Sequence, residues 1–545
     1  MVRPVVSTFA RWGTPPKPAS LSDAAKEFLA GIGTPQFPSA LPVVADIPVA
    51  RSRLTKAQHA ELAAIVGAEN VSTSDADRVL HSAGCSLTDY LELRRKLRRP
   101  LPDAVVRPSS RDEVNSLLMA CSAAGITVVP FGGGTSVVGG LRGFAHTKRS
   151  IAVAFDRMAG IRSIDPVNST VTVEPGITGP DLERALAEVG LLLGHLPQSW
   201  ERATIGGYAA TRSAGQNSTG YGRSDEMIEE MVVATPVGEI VLGRVHRSAA
   251  GPDLRQLFIG SEGVFGIITE ITLRVRRAPE VTKYEGLMFP DFFSGETAFR
   301  ELAQQGLTSE ILRLSDEHET ITALTMSGPS GRAKELFDKY LELRKVDGGC
   351  LAILGWEGHN RRLVSAKRSA AWKVLKAHGA VSLGSGVGES WRKHRFEGPF
   401  LRDELLDLGY IVETLETAAH WRQAAELKAA VAQALEQALA ADGVQPFVMC
   451  HISHVYETSV SLYFTVISVA KSDPVKQWAA AKKAACDAIE AHAGTITHHH
   501  GVGADHAPWL TEEIGPRGVA VLRAVKAAVD PEGILNPGVL LPPQE

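Results

Sequence analysis

The sequence predicts an α+β protein of several domains, and three observations carry that prediction. The chain has 545 residues, which is more than one ordinary domain accommodates. From about residue 285 to 495, helical patterns alternate with strands such as "CLAILGWEG" and "SVSLYFTVISVA", which indicates an antiparallel sheet with helices on one face. Hydrophobic residues make up 44% and charged residues 22%, the balance of a globular protein with a filled core.

Residues 1–95 are predicted to form an N-terminal helical segment. Two stretches, "SLSDAAKEFLAGIG" and "TKAQHAELAAIVG", each have a polar start and a glycine stop. Prolines punctuate the chain around them, so the segment is mixed rather than continuously helical.

Residues 96–280 are predicted to form the first large domain. Ser110 and Glu113 make a capping-box pattern that opens a helix, and Gly125 ends it. The stretches "ITVVP", "SIAVAF" and "STVTVEPG" are strands by their β-branched content, and "TGPDLERALAEVG" is a helix. A hairpin is expected across residues 236–238, and "GVFGIITEITLRVRRAPE" is expected to form a long strand pair. The pattern changes near residue 280, where we expect the first large domain to end and a second domain, at 281–500, to begin. A C-terminal segment at 501–545 follows it.

Composition also bears on partners and location. The formal charge is −4 and no lysine or arginine cluster marks one face, which argues against a nucleic-acid partner. The five cysteines are scattered without a C-x-x-C pair, as in a protein with reduced thiols. We find no secretory signal pattern and no run of eighteen apolar residues, so we expect a cytoplasmic protein without a transmembrane segment.

The stretch "PFGGGTSVVGG" at residues 130–140 places five glycines directly after a short apolar strand. It lacks the lysine of a P-loop, and no helical pattern follows it as a Rossmann fingerprint requires. A third interpretation is a nest of successive backbone N–H groups that binds an anion, with the hydroxyls of Thr135 and Ser136 as further donors. A tight turn in a large sheet remains the alternative for the loop taken alone.

Two further segments favour the nest. "TIGGYAATRSAGQNSTGYG" at 204–222 and "GSEGVFGIITEITL" at 260–273 are rich in small residues, and each lies beside a predicted strand. Small residues let backbone lie against a flat ring and offer amides to its edge. Three such segments within about 140 residues indicate one extended dinucleotide lying along a groove.

Together these segments resemble the flavin-binding domain of the vanillyl-alcohol-oxidase-like flavoproteins, the PCMH-type fold. The resemblance implies FAD between two α+β subdomains, an α+β cap domain with an antiparallel sheet, and a return segment, "ILNPG", through which residues 501–545 complete the FAD domain. No histidine lies between Pro130 and Gly140, and His195 has no covalent role in the resemblance, so FAD is expected to be bound non-covalently. The FAD-binding residues implied are Pro130, Gly132, Gly133, Gly134, Thr135, Ser136, Thr204, Gly206, Gly207, Thr211, Ser213, Gly215, Tyr221, Glu262, Gly263, Gly266, Ile267, Ile268 and Asn536.

The stretch "THHHGVG" points to the chemistry. In an extended segment, His498 and His500 would share one face and His499 would occupy the other. Histidine titrates near neutral pH and is also a common metal ligand, so a proton-transfer or metal role is indicated. A polar loop in which the histidines do nothing is the alternative.

From about residue 80 onward the chain resembles the alkyldihydroxyacetonephosphate synthases, through "PFGGGTSVVGGL", "ILRLSD", "SLYFT" and "THHHGVG". The resemblance implies that Tyr463 abstracts a proton, that His498, His499 and His500 assist proton transfer, and that Arg313 sets the site or binds phosphate. The implied reaction exchanges the acyl group of acyl-dihydroxyacetone phosphate for a fatty alcohol without net redox change. A lipid-like substrate, a homodimer and peripheral contact with a membrane are expected with it.

One position departs from the family. Where the synthases have an arginine that engages the substrate phosphate, this chain has His451. Histidine is neither bidentate nor always charged. Either another cation, such as Arg313, Arg392 or Arg395, replaces that arginine, or the substrate is not a phosphate ester.

Two other functions remain open. The related flavin-dependent 2-hydroxyacid dehydrogenases bind a divalent metal through motifs that this chain lacks. His451, His454 and two loop histidines could supply imidazoles, but no carboxylate takes the expected place, and no metal site is predicted. A flavin-fold protein that serves only as a binding or scaffold module is the non-enzymatic alternative.

Overall fold

The computed structural model describes residues 9–13, 21, 23–37, 41–245, 247–327, 331–440 and 445–543. Its strands form three main sheets that follow one another along the chain, at residues 71–154, 161–274 and 281–469. None of the helices in these residues is long and apolar enough to cross a membrane.

The first sheet carries the glycine-rich loop at the end of one strand. Its strands are β1 (Val71–Ser72), β2 (Ala104–Val106), β3 (Thr127–Phe131) and β4 (Ser150–Ala154), and its order is β1-β2-β4-β3. Strands β2 and β3 run parallel to β4, and β1 runs antiparallel to β2. The helices before and within this sheet are α1 (Asp23–Ile32), α2 (Lys56–Val66), α3 (Asp75–Leu80), α4 (Leu87–Arg94) and α5 (Arg111–Ala124).

The predicted caps of α5 are largely confirmed. The Ser110 hydroxyl accepts the N–H of Glu113 at 3.2 Å, and Gly125 ends the helix with a φ of +60°. The carboxylate of Glu113 departs from the predicted capping box, because it accepts the N–H of Ser109 at 2.7 Å instead of that of Ser110. The two helices predicted in the N-terminal segment are α1 and α2.

The second sheet is antiparallel, with the order β5-β6-β10-β8-β9. The elements here are β5 (Ile161–Asp165), β6 (Thr170–Val173), α6 (Gly179–Ala187), β7 (Leu191–Leu192), α7 (Ile205–Thr211), α8 (Ser218–Tyr221), α9 (Ser224–Met227), β8 (Ile228–Thr235), β9 (Gly238–Leu242), α10 (Arg255–Phe258), β10 (Ile267–Arg274) and β11 (Arg276–Arg277). The hairpin predicted across residues 236–238 joins β8 to β9. The predicted strand pair at 263–280 is wrong, since β10 is one central strand and β11 pairs with the distant β7. No turn residue interrupts the run after Gly266, so the strand continues.

The third sheet has seven strands in the order β15-β12-β14-β13-β17-β18-β16, and every neighbouring pair is antiparallel, as predicted. Its strands are β12 (Val281–Phe289), β13 (Ile311–Ser315), β14 (Cys350–Gly358), β15 (Val381–Gly384), β16 (Tyr410–His420), β17 (Phe447–Val455) and β18 (Ser459–Val469). The helices of this domain are α11 (Phe292–Gln304), α12 (Glu317–Ser327), α13 (Arg332–Leu343), α14 (Arg361–Ala377), α15 (Ser385–His394), α16 (Gly398–Asp407), α17 (Trp421–Leu439) and α18 (Pro474–Ala491).

Helices cover both faces of this sheet, so the prediction of helices on one face is wrong. Leu287 packs in the core that α11, α14, α17 and α18 share, whereas its neighbour Met288 packs with residues of α13 and α15. Residues 350–356 of β14 are buried without interruption. The unbroken apolar run "CLAILGW" is typical of a strand covered on both faces.

The C-terminal segment returns to the first sheet. After α19 (Leu510–Val529), Leu535 forms a parallel bridge with Val128 of β3, and the N–H of Val128 donates to the carbonyl of Ile534 at 2.9 Å. This return brings Asn536 to the loop that follows β3.

Candidate active site

The glycine-rich loop after β3 forms a cradle of backbone amides. None of the N–H groups from Gly133 to Ser136 donates a hydrogen bond within the part of the chain that the structure describes. The Ser136 hydroxyl accepts the N–H of Gly140 at 3.0 Å, which closes the loop on itself. Successive unpaired amides are the donors that hold phosphate, so the loop has the arrangement expected of an anion nest.

Glycine is required in this loop because other backbone approaches it closely. A Cβ atom on Gly133 would lie 2.0 Å from the carbonyl oxygen of Arg202, and one on Gly132 would lie 2.6 Å from Thr204 Oγ1. Gly134 has a φ of +62°, in the left-handed region. The three glycines are therefore needed for both packing and conformation.

Replacing Gly133 by alanine is expected to weaken cofactor binding by about ten- to a hundredfold, because overpacking costs about 1–3 kcal/mol. The colliding atom is backbone, so the loop itself must move. The flavin-to-protein absorbance ratio and a flavin titration would measure the loss. Gly31→Ala is the matched control, since nothing lies within 4 Å of a Cβ at that helical position. Equal flavin affinity in both variants would contradict the prediction.

The second predicted segment starts against this loop. Thr204 caps α7, and its hydroxyl accepts the N–H of Gly207 at 3.2 Å. A Cβ on Gly206 would lie 2.7 Å from the Cβ of Pro175, and the Thr211 hydroxyl donates to the carbonyl of Gly207 at 3.0 Å. The start of α7 and the amide cradle therefore form one continuous surface.

Further along, the same segment meets the third sheet. The Gly215 carbonyl accepts a hydrogen bond from His454 Nε2 at 2.9 Å. The Tyr221 hydroxyl donates to Glu357, which β14 carries. The predicted flavin segment therefore lies between the amide cradle and the strands that carry the predicted catalytic residues.

Glu262, in the third segment, joins the loops. Its Oε2 accepts the N–H groups of Val502 at 3.0 Å and Gly503 at 2.7 Å. The Asn536 side-chain amide donates to the carbonyls of Glu262 at 2.7 Å and Gly140 at 3.0 Å. Burial raises the pKa of Glu262 to about 7. One residue thus connects the amide cradle, the end of the histidine loop and the return segment.

The remaining predicted residues pack beneath these loops. A Cβ on Gly263 would lie 2.3 Å from Pro130 Cγ, and Gly266 presses against β8 in the same way. The side chains of Ile267 and Ile268 belong to the two hydrophobic cores on either side of β10. These residues shape the floor of the groove.

Four buried polar atoms around the groove have no partner among the described residues: Glu262 Oε1, Asn536 Oδ1, Tyr208 Oη and His195 Nδ1. Buried polar groups are normally hydrogen-bonded, so such a set marks the place of a ligand. Together with the amide cradle, they fit a large cofactor that carries a pyrophosphate and a hydrogen-bonding ring system. FAD has both.

Beyond the groove, three strands place the predicted base among other side chains. In the register of the sheet, Tyr463 on β18 lies opposite Glu416 on β16 and His451 on β17. Opposed residues of antiparallel strands share a face. The Tyr463 ring stacks on His451 at a centroid distance of 4.7 Å, and it lies 6.0 Å from His499 and 5.6 Å from His500. The structure therefore brings together residues that the sequence separates.

Glu416, which the sequence analysis missed, holds the histidine loop. Its carboxylate is buried and accepts the backbone N–H groups of His498, His499 and His500 at 2.6, 3.0 and 2.9 Å. It also accepts the Thr497 hydroxyl at 2.7 Å. Burial acts to raise the pKa of Glu416, but electrostatic interaction with His499, His500 and His498, together with the His499 backbone N–H, holds it well below its usual value. The sequence feature that could have revealed this role is a charged residue within the apolar strand "YIVETLETAAH", because a buried charge needs partners.

The imidazoles belong to two neighbouring hydrogen-bonded groups, one around His454 and one around His498. Because a carbonyl oxygen only accepts, His454 Nε2 carries the proton that it donates to Gly215, and His454 Nδ1 lies 2.8 Å from the Ser453 hydroxyl. His498 Nδ1 lies 3.0 Å from His499 Nδ1, and His498 Nε2 lies 2.8 Å from the Tyr456 hydroxyl. Nitrogens of His454, His498 and His499 come within 4.8 Å of one another, but these hydrogen bonds already engage them. The arrangement suits proton transfer.

Burial sets the charge state of the cluster. It lowers the pKa of His454 and of His499 to about 3, and it raises the pKa of Tyr463 to about 12. At neutral pH the imidazoles are therefore uncharged and can accept protons, and Tyr463 holds its proton until a neighbouring group removes it.

The same effect predicts an acid sensitivity at His195, whose Nε2 lies 2.6 Å from the Ser213 hydroxyl. Burial lowers its pKa from 6.5 to about 3, so the unfolded chain takes up a proton below pH 6.5 and the folded chain does not. The free energy of unfolding that depends on a neutral His195 is therefore fully present above pH 6.5, and it is lost as the pH falls below that value. Glutamine at 195 does not titrate, so between pH 7 and pH 5 the His195→Gln holoprotein should lose about 2 kcal/mol less unfolding free energy than the parent.

Denaturant unfolding at the two pH values measures this difference. Glu262, Glu296 and Asp403 act in the opposite direction, because burial raises their pKa values to about 7, 6 and 6. They are common to both proteins and cancel in the comparison. An equal loss of stability in both proteins would contradict a buried neutral imidazole at position 195.

Two residues predicted to bind substrate, Arg313 and His451, share one carboxylate, that of Glu319. Arg313 donates to Glu319 Oε1 at 2.8 Å, and His451 Nδ1 lies 3.0 Å from the same oxygen. Both ring nitrogens of His451 also lie 3.0 Å from the Arg313 guanidinium. Burial and Arg313 lower the pKa of His451, so the charge of this group is one guanidinium balanced by one carboxylate.

Arg395, the other predicted substrate residue, lies across the flavin segment. Its guanidinium donates to Asn217 Oδ1 at 3.1 Å, and its carbonyl accepts from the Gln216 side chain at 3.1 Å. Arg392, by contrast, is exposed and donates to Glu389 at 2.9 Å.

Comparison with known proteins agrees with this architecture. Residues 102–243 match the FAD binding domain family, and residues 278–540 match the C-terminal domain of FAD linked oxidases. Alkyldihydroxyacetonephosphate synthase of Trypanosoma brucei brucei is 33% identical over 88% of this chain and 80% of its own, and that of Dictyostelium discoideum is 31% identical over the same shares. A solved alkyldihydroxyacetonephosphate synthase structure has a TM-score of 0.81, is 27% identical and covers 96% of this chain and 94% of its own.

These findings confirm the predicted fold class, an α+β PCMH-type FAD-binding domain with an α+β cap, and the predicted cofactor, FAD. The matched residues lie in both large domains, and they include Tyr463 on β18 and the histidine loop. The chain therefore belongs to the alkyldihydroxyacetonephosphate synthase family of FAD-dependent enzymes.

Proposed function

We propose that this enzyme exchanges the acyl group of acyl-dihydroxyacetone phosphate for a fatty alcohol, as the name of its relatives indicates. The observation that carries the proposal is the group formed by Tyr463, His499 and His500, three proton-transfer side chains held beside the flavin segment. Such a group suits a reaction that moves protons and exchanges a carbon–oxygen bond without net oxidation.

In this reaction the carbon beside the ketone loses a proton, its bond to the fatty-acid oxygen breaks, and a bond to the alcohol oxygen forms. The alcohol gives up its proton, and a proton returns to the carbon, so the oxidation state does not change. When bound, FAD would supply an electrophilic centre for this chemistry. The protein's own residues position the substrate and move the protons.

Tyr463 is the proposed proton acceptor for the carbon, and the neutral histidines are proposed to take the proton of the alcohol. Burial holds the pKa of His499 near 3, so this imidazole is uncharged when the alcohol arrives. Burial raises the pKa of Tyr463, so its proton must pass to a neighbour before it can act as a base. The rings of His499 and His500 lie next to it for that purpose.

The finer properties expected with this activity are also proposals. They are non-covalent FAD, a homodimer, a cytoplasmic location and peripheral contact with a membrane that supplies the lipid substrates. The five cysteines are all free and buried, which supports a reducing compartment. Light scattering tests the dimer, and sedimentation with phospholipid vesicles tests membrane contact.

The test of function supplies acyl-dihydroxyacetone phosphate and a long-chain alcohol to the yellow holoenzyme and measures ether product and released fatty acid. A parallel assay supplies 2-hydroxy acids with a dye acceptor. Ether formation without dye reduction is expected, whereas dye reduction without ether product would assign the enzyme to the dehydrogenases. Acid denaturation should release the flavin into the supernatant. Flavin that stays with the pellet would show a covalent link.

A further inference from the structure

The described arginines around the active site differ in how their charges are balanced. Arg313 pairs with Glu319 at 2.8 Å, and Arg223 pairs with Asp225 at 3.1 Å. Arg395 forms no ion pair with any residue that the structure describes, and its Nε is buried without a hydrogen-bond partner. Among the described residues, Arg395 therefore lacks a counter-charge at ion-pair distance, although Glu357 and Tyr284 still favour its charged form.

A charge removed from water normally has a partner, because transfer into a less polar environment is costly. The surroundings of Arg395 offset only part of the cost of removing its charge from water. Its guanidinium lies 5.0 Å from the Phe396 ring and 5.5 Å from the Trp391 ring, and burial lowers its pKa. The acidic group on this side, Glu357, already accepts the hydroxyls of Tyr221 and Tyr284.

Two more donors near Arg395 are unpaired. Gln198 Nε2 and Trp200 Nε1 are buried and have no hydrogen-bond partner among the described residues. The Trp200 ring lies 5.4 Å from Phe396, and Gln198 is bonded through its oxygen to Gln216 at 2.9 Å. Gln216 donates in turn to the Arg395 carbonyl, so these residues form one connected group. Three donor atoms without partners, one of them on a charged side chain, are the kind of group that binds an anion.

The group lies beside the reacting centre. Arg395 contacts Asn217, two residues after Gly215, whose carbonyl accepts a hydrogen bond from His454 Nε2. In the second group, Arg313 and His451 both contact the Glu319 carboxylate. Its one positive and one negative charge cancel, so it has no net positive charge to attract a phosphate dianion. Net charge therefore distinguishes the Arg395 group from the Arg313–His451–Glu319 group.

We propose that Arg395, with Gln198 and Trp200, binds the phosphate monoester of the substrate, and that the Arg313–His451–Glu319 group does not. This assignment rests on the proposed function for the identity of the substrate. The guanidinium, whose Nε has no partner among the described residues, and the two neutral donors bind the phosphate oxygens, and the aromatic rings around Arg395 keep water away from the bound group.

Binding of dihydroxyacetone phosphate to the holoenzyme, followed by the change in flavin absorbance, tests the proposal without turnover. Uncharged dihydroxyacetone serves as the comparison ligand. The variant Arg395→Gln should bind the phosphate at least about tenfold more weakly, since charged hydrogen bonds of this kind are strong. Its affinity for dihydroxyacetone should not change. The matched control is Arg392→Gln, which removes an exposed guanidinium three residues away and should bind like the parent.

Three results would overturn the proposal: unchanged phosphate affinity in Arg395→Gln, loss of affinity in Arg313→Gln alone, or loss of FAD from Arg395→Gln. The last result would assign Arg395 to the cofactor. If Arg395→Gln does not fold, Arg395→Lys keeps the charge without the planar fork and should show intermediate affinity, and parental affinity would again refute the proposal.

The two proposals fail separately. Arg395-dependent phosphate binding without ether synthesis would refute the proposed reaction and leave the phosphate site in place. Ether synthesis with a parental KM in Arg395→Gln would keep the reaction and refute the site.

Discussion

Tyr463→Phe is expected to lower turnover by at least about a hundred- to ten-thousandfold, the range that a positioned proton-transfer group contributes. The hydroxyl is the only atom group removed, and the ring can keep its stack on His451 at 4.7 Å. The flavin contacts lie on other segments of the chain, so FAD content should match that of the parent. Ether synthesis at saturating substrate and the flavin-to-protein ratio measure the two effects.

Tyr410→Phe is the matched control for this change. It removes the same hydroxyl from β16, where the group donates to the carbonyls of Leu29 at 3.2 Å and Gly33 at 3.0 Å, away from the site. It should cost about 1 kcal/mol of stability and leave turnover unchanged. Near-normal turnover in Tyr463→Phe would remove the assigned role of Tyr463.

Glu416→Gln is expected to have the second large effect, on both stability and turnover. The carboxylate accepts the N–H groups of His498, His499 and His500 and the Thr497 hydroxyl. An amide has one accepting oxygen, so some of these buried donors lose their partner at about 1–3 kcal/mol each. We expect the unfolding free energy to fall by about 3 kcal/mol or more, and turnover to fall because the imidazoles are no longer held beside Tyr463.

Hydrogen exchange of the 497–500 segment measures this effect directly, because the amides that Glu416 accepts are those that should lose protection. Glu413→Gln makes the same change on the same strand, where the carboxylate accepts the N–H of Leu87 at 2.6 Å and a bond from Arg402 at 3.0 Å. That control is expected to cost stability but to leave the loop protected. Unchanged protection in Glu416→Gln would show that another contact holds the loop.

Local signals in the sequence predicted most of the elements that build the cofactor groove. The cap and stop of α5, the strand before the amide cradle and the hairpin at 236–238 all have short-range causes in turn and cap residues. The prediction of helices on one face of the third sheet failed because the faces of a strand are covered by elements far away in the chain. The sequence of β14 did indicate that both faces are covered, because its apolar run does not alternate with polar residues.

The candidate site divides in the same way. The sequence by itself determined the three glycine-rich segments, Tyr463 and the histidine loop, because a residue type or a short motif marks each of them. Only the tertiary structure decided that Glu416 anchors the loop, that Glu319 neutralises Arg313, and that Arg395 has no ion-pair partner among the residues that the structure describes. Those facts depend on strand register and on burial, and both are set by contacts between residues that lie far apart in the chain.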